Sequence, residues 1–173
     1  MAGKARSKSK SVSPAHPAST LLNKPAPDFE LPDGSGNAVS LQDLLSKGNV
    51  VLYFYPRDFT AGCSKEACDF RDRQKLIGAR GATIVGISTD SAASHEKFAA
   101  KYALDFPLLS DVGAKVARRY GVYKRKKLYG REFEGIERTT FIIDRRGLVR
   151  RIFPRVKVEG HVDAVLMALE ELA

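Results

Sequence analysis

A chain of 173 residues, 43% of them apolar, holds enough material for one globular domain with a sizeable core and too little for two. Two cysteines are too few for a secreted disulfide scaffold, and the charged, Ser-rich start lacks the apolar segment of a signal peptide. No run approaches the roughly 20 apolar residues of a membrane-spanning helix, so the composition reads as that of a cytoplasmic protein without membrane contact.

Residues 1–23 are rich in Lys, Ser, Pro and Ala and read as a disordered basic tail, with His16 inside it. The formal net charge is +9, and Lys4, Arg6, Lys8 and Lys10 supply part of it before the first acid, Asp28. Such an arm aids solubility; weak contact with nucleic acid, or an address such as nuclear import in a eukaryote, are the sharper readings, and both stay open. The folded domain is expected over residues 24–173. Its first stretch, PAPDFELPDGSGNAVSL, alternates apolar Phe29, Leu31, Val39 and Leu41 around the turn residues Asp33 to Asn37, which predicts a short hairpin covering a sheet edge. Ser40 then caps a short helix ending near Gly48.

Val50 to Tyr55 form an apolar run of the length of a strand buried on both faces, and Pro56 forbids its continuation. A loop through Thr60, Gly62 and Cys63 leads into residues compatible with a helix from Ser64 onward. Cys63 therefore stands at a helix N-terminus, where unpaired N–H groups and the positive end of the dipole favour a thiolate, the nucleophilic form of cysteine. Cys68 lies in the same segment, and the rest of the chain has no cysteine, which argues for a working pair.

Gly78 and Gly81 punctuate a turn before ATIVGIST, a second buried strand. Ser91 to Tyr102 suit a helix with Phe98 and Tyr102 on its inner face and His95 on its exposed one. Phe106 to Leu108 are extended, Asp111 to Tyr120 make a further short helix, and the basic run Lys124 to Lys127, flanked by Tyr123 and Tyr129, reads as a solvated loop. RTTFIID and GLVRRIF pair as a hairpin through Asp144 to Gly147, and residues 160–172 close the chain as an amphipathic helix with Val162, Val165, Leu166 and Leu169 inward. A βαβ unit followed by an antiparallel hairpin and a last helix predicts an α/β thioredoxin-like fold, a mixed central sheet flanked by helices, with an N-terminal β-hairpin extension.

Phe54, Pro56, Thr60 and Cys63 in FYPRDFTAGC, then Glu66, Ala67, Cys68, Phe70, Arg71 and Asp72, and finally Arg138 in ERTTFIID, together resemble a peroxiredoxin, in its bacterioferritin-comigratory or Q-type branch. The resemblance runs from about Lys24 to the C-terminus. Two positions depart from the usual motif, Ala61 in place of proline and Ser64 in place of threonine; Ala61 contributes no reacting group, and activity is expected to survive it.

What the resemblance implies is a thiol-specific peroxidase needing neither metal nor organic cofactor. Cys63 would attack a peroxide oxygen and become a sulfenic acid, and Cys68 would resolve it to an internal disulfide, recycled by thioredoxin or a glutaredoxin-like dithiol protein. Arg138 would favour the thiolate, Glu66 would orient Arg138 by a bidentate pair, and Thr60, accepting from the peroxide while donating to the sulfur, would with the N–H groups near Gly62 and Cys63 hold the peroxide beyond Pro56. Residues i and i+5 of an intact helix lie about 8.6 Å apart at Cα, beyond the roughly 7 Å reach of a disulfide, so the first helical turns would have to unwind. With both cysteines in one segment no second subunit is required, and a monomer is expected.

Other readings stand beside these. Cys68 could be inert packing, Arg138 could pair with an acid on the sheet, and Thr60 could only shape a turn. A zinc site of the cysteines with His95 and His161 is disfavoured, because those histidines fall in distant helices. A thioredoxin-type oxidoreductase would be expected to use CxxC, not the CxxxxC found here. The competing class of function is a basic nucleic-acid-associated protein, drawing on Lys124 to Lys127, the tail, Arg145, Arg146, Arg150, Arg151, Arg155 and Lys157.

Overall fold

The strand at the centre of the fold shows why its sequence is apolar without interruption. In the computed structural model, which describes residues 16–172, β3 (Asn49–Phe54) sends Val50, Leu52 and Phe54 into one core, and Val51, Tyr53 and the following Tyr55 into the other. Side chains of successive strand residues point to opposite faces, so both faces of this strand are buried. It is flanked by β4 (Ala82–Ser88), parallel to it, and β8 (Thr139–Ile143), antiparallel. With β5 (Leu108–Ser110) and β9 (Val149–Phe153) at the edges, the sheet has five strands in the order β5-β4-β3-β8-β9.

Helices cover the sheet as the alternation of elements requires. On one face lie α2 (Ala61–Ala79), α3 (Ala92–Tyr102) and α5 (His161–Glu171), whose Phe70, Phe98 and Val165 join the Tyr53 core. The other face is closed by α1 (Leu41–Leu45), capped by Ser40 as its sequence predicts, and by α4 (Lys115–Arg119), with Leu41, Val116 and Tyr120 packed among the Phe54 side chains. The predicted N-terminal hairpin is present as β1 (Glu30–Pro32) and β2 (Ala38–Ser40), with β1 lying against β5. No helix among the described residues is long and apolar enough to cross a membrane.

Three expectations need correction. The ordered chain begins before Lys24: Pro17–Leu21 form a 3₁₀ turn capped by His16, which is buried, accepts the Ala18 N–H at its Nδ1 and lies 2.8 Å from Glu137. A histidine with polar partners at both ring nitrogens and Pro at the first turn outweighs the low-complexity composition around it. The remainder of the predicted tail, residues 1–15, lies outside the described residues.

The basic run is a strand rather than a loop. Tyr123–Leu128 form β6, paired with β7 (Arg131–Ile136) in an antiparallel hairpin. Tyr129 and Gly130 both have positive φ, 50° and 75°, the signature of a two-residue I′ turn. The third correction, His95, belongs to the site described below.

Close packing over β4 carries a prediction. A Cβ at Gly86 would stand 2.9 Å from both the Tyr53 ring and a Leu108 methyl. Gly86→Ala should therefore lower stability by about 1–3 kcal/mol, read as a lower midpoint of urea unfolding at unchanged slope; an unchanged midpoint would mean that the Tyr53 ring yields freely.

Candidate active site

Helix α2 starts at Ala61, three residues earlier than its composition suggests, with Thr60 as the extended N-cap residue. Cys63 therefore sits inside the first turn, and the amides of Ala61, Gly62 and Cys63 are among those that no helical carbonyl can satisfy. Ala61 occupies the position where proline is tolerated best, because its N–H is unpaired there in any case. The substitution thus removes stiffness and no hydrogen bond.

Cys63 is 1% exposed, and its Sγ accepts a hydrogen bond of 3.2 Å from Arg138 Nη2. The same guanidinium donates through Nη1 to Glu66 Oε1 at 2.8 Å, a single bond in place of the expected bidentate pair, because Nη2 is turned to the sulfur. Arg138 comes from the link between β7 and β8, so the tertiary fold brings it to a helix 75 residues away in sequence. Gly62 makes the approach possible, since a Cβ there would lie 3.2 Å from Arg138 Nη2. A fixed cation held on one side by a carboxylate and on the other by sulfur can stabilise negative charge on that sulfur.

Glu66 is fully buried, and its second oxygen, Oε2, has no hydrogen-bond partner. Burial is the largest influence on its carboxyl and pushes it up to about 7, against the pull of Arg138. His161, at the start of α5 and 2.8 Å from Thr140 Oγ1, is driven the other way by burial and then by Arg138, to about 4. Folded Glu66 holds its proton more tightly than the unfolded chain, so its contribution to stability is full below pH 4.5 and lost as pH rises to 7. Folded His161 holds its proton less tightly; its contribution is full above pH 6.5 and lost as pH falls toward 4.

The two slopes oppose each other between pH 4.5 and 6.5, and wild-type stability should be nearly flat there. Glu66→Gln removes one of them, so stability of that variant should rise by about 2 kcal/mol across the window. Urea unfolding at three pH values checks this. Parallel profiles for the two proteins would show that Glu66 titrates alike in the folded and unfolded chains.

Cys68 lies half-buried on the same unbroken helix, and both cysteines are free thiols, as the helical spacing requires. Thr60 is exposed, and its hydroxyl donates to the Arg57 carbonyl at 3.0 Å instead of to the sulfur. A threonine hydroxyl readily takes a backbone carbonyl three residues back; its lone pairs stay free to accept. Pro56 ends the strand as expected, half-buried beside Tyr55.

Two residues have surroundings that differ from those expected of them. Lys126 of β6 is half-buried, with its ammonium held below the ordinary lysine range by burial first and by Arg138 next. His95 is fully buried instead of exposed and binds Asp58 in the loop before Thr60. Its spacing gave a signal: His95, Phe98 and Tyr102 recur at three and four residues and share one helix face.

The AhpC/TSA family model matches residues 22–152. A putative peroxiredoxin bcp of Coxiella burnetii is 47% identical over 145 residues, covering 84% of this chain and 95% of the relative. The chain belongs to the peroxiredoxins, in their Bcp or Q branch. Peroxiredoxin Bcp of Bacillus subtilis is 43% identical over 152 residues, 88% of this chain and 96% of its own. Among solved structures, peroxidoxin BcpB of Mycobacterium tuberculosis aligns with a TM-score of 0.80 at 40% identity, covering 88% of this chain and 98% of that one. The bacterioferritin comigratory protein of Xanthomonas campestris, described for its alkyl peroxide reduction activity, gives 0.78 at 39%, with 83% and 90% covered. The thioredoxin-like fold and the peroxidase chemistry of a peroxiredoxin are thus those of this chain.

Proposed function

We propose that this peroxiredoxin reduces hydrogen peroxide and organic hydroperoxides through Cys63 and Cys68. The Cys63 thiolate attacks one peroxide oxygen; the S–O bond forms as the O–O bond breaks, and the departing oxygen takes a proton to leave as water or alcohol. Cys68 sulfur then attacks the sulfenic acid, water leaves, and a Cys63–Cys68 disulfide remains. A dithiol protein, thioredoxin or a glutaredoxin-like donor, returns both thiols by two exchange steps. Arg138 and the first-turn amides favour negative charge on sulfur and on the leaving oxygen, Glu66 orients Arg138, and Thr60 accepts from the peroxide.

The observation that carries this reading is the 3.2 Å contact between Arg138 and a cysteine in the first turn of a helix that also bears Cys68. The organic substrate class draws on the alkyl peroxide activity of the Xanthomonas campestris relative. A cytoplasmic setting fits two reduced thiols, and a monomer fits two cysteines of one segment. One equivalent of hydrogen peroxide should remove two hydrogens from the intact mass and both free thiols. If both thiols survive, the assignment falls; a dimer by light scattering would overturn the monomer alone.

A second reading, contact of the basic surface with nucleic acid, has the β6–β7 hairpin in its favour, where Arg125 and Lys127 stand exposed beside Tyr129, itself 95% exposed. Such binding would fall steeply with salt and persist in Cys63→Ser; salt-insensitive or undetectable binding removes it.

A further inference from the structure

A buried polar cluster lies directly behind the reacting turn, and the peroxidase chemistry as described makes no use of it. Asp58, in the loop between β3 and α2, is 4% exposed and fully engaged. Its Oδ1 accepts from the Tyr55 hydroxyl at 2.7 Å, and its Oδ2 accepts from Ser94 Oγ and His95 Nδ1, each at 2.8 Å. Its own N–H donates to Asp90 Oδ2 at 2.9 Å, and that oxygen also takes the Ser88 hydroxyl. His95 has no exposed surface, and its Nε2 lies 3.1 Å from the Leu109 carbonyl. Both ring nitrogens thus lie within hydrogen-bond distance of an oxygen, so the ring is held at both edges.

The next residue is held as well. Phe59 has φ 64°, a conformation that bulky residues rarely adopt and that the surroundings must enforce. Its ring meets Phe98 edge-on at 5.2 Å and lies 5.8 Å beneath Lys101 Nζ. Two consecutive loop residues are therefore fastened to α3, one by hydrogen bonds from Ser94 and His95 and one by a ring. The kink between them turns the chain out of the sheet and into Thr60 and the first turn of α2.

A buried hydrogen-bonded cluster is a poor way to gain stability, since apolar groups of the same shape serve nearly as well. Its placement supplies the reason for it: the reacting turn needs a fixed origin. We propose that Asp58 and His95 are positioning residues for the peroxide step, fixing the Phe59 kink and through it the site where the Thr60 hydroxyl and the free amides of α2 meet the peroxide at Cys63. The proposal rests on the assignment of Cys63 as the attacking residue.

The test compares two reactions of one sulfur in the Cys68→Ser protein, where Cys63 is the sole thiol. Alkylation by iodoacetamide needs an accessible thiolate; peroxide reduction needs, in addition, aligned donors around the oxygen pair. His95→Asn and Asp58→Asn should slow the peroxide reaction roughly ten- to a hundredfold while leaving alkylation unchanged or faster. A peroxide rate within about twofold of the parent, or an equal fall in both rates, overturns positioning as the role. Should these variants fail to fold, Tyr55→Phe and Ser94→Ala each remove one bond to Asp58 and are read in the same way. A fall of about threefold in the peroxide rate alone is expected of them, and no fall overturns the proposal. A parent protein whose Cys63 ignores peroxide but is alkylated would sink the Cys63 assignment, and with it this proposal, a result visible before any variant is compared.

Discussion

Replacing Cys63 with serine should reduce peroxide consumption at least roughly a thousandfold, and replacing Cys68 with serine should leave the first reduction intact while stopping turnover. Serine keeps the size of the buried side chain and its place in the first turn, so the fold is retained. What is lost is a nucleophile that ionises readily: a hydroxyl in the same position stays protonated at neutral pH, and Arg138 alone does not change that. In Cys68→Ser the attack proceeds and a sulfenic acid forms, but no thiol of the chain remains to condense with it. Intact mass should then show one added oxygen, and a sulfenic-acid trap should bind one equivalent. A single-turnover burst of peroxide consumption, present in Cys68→Ser and absent in Cys63→Ser, separates the two variants, and full turnover by Cys63→Ser with a dithiol protein would reassign the attacking role. The oxidised wild type should also lose amide protection over Ser64 to Cys68, because an i,i+5 pair on an intact helix is about 8.6 Å apart at Cα and a disulfide spans roughly 7 Å at most.

The parts of this architecture that are legible in the sequence are those where local pattern and tertiary demand agree. The uninterrupted apolar run of β3, the Ser40 cap, the Asp144 to Gly147 turn and the inward face of α5 each need only their own neighbours to be read, and each is present. The β6–β7 hairpin was hidden because Lys, Arg and Glu are depleted in strands and because Tyr129, not Asn or Asp, takes the first left-handed position of its turn. The buried place of His16 depends on Glu137, more than a hundred residues away, which no local composition announces.

At the site the division is similar. The motif marks Cys63, Cys68 and Glu66 on one helix, while the contact of Arg138 with the sulfur is a product of β7 and β8 returning beside α2. His95 was legible by its spacing to Phe98, yet a polar residue in a helix is assigned to solvent by default. Its partner Asp58 gives no sign in sequence of being buried, since only the fold brings α3 against the loop.

Arg138→Ala should lower the second-order rate of Cys63 with hydrogen peroxide by roughly 10²–10³-fold, the cost of removing one preorganised donor at a charge that develops during reaction. Its guanidinium is only partly exposed, with 15% of the side chain accessible, so its charge is weakly screened and acts on the sulfur at short range. Arg138→Lys should recover only part of the loss. An ammonium can reach Cys63 or Glu66, but it lacks the planar fork whose two Nη groups serve both at once, 3.2 Å from Sγ and 2.8 Å from Oε1. Freed of its partner, Glu66 would be a buried carboxyl with neither oxygen satisfied, and should take up a proton near neutral pH. The alanine variant therefore separates two effects of one residue: activity falls at every pH, while stability falls most where Glu66 is forced to ionise, above pH 7. Stopped-flow oxidation of the thiol together with urea unfolding at pH 6 and pH 8 reads both. A rate within tenfold of wild type would remove Arg138 from the reacting groups and leave it as the counter-ion of Glu66.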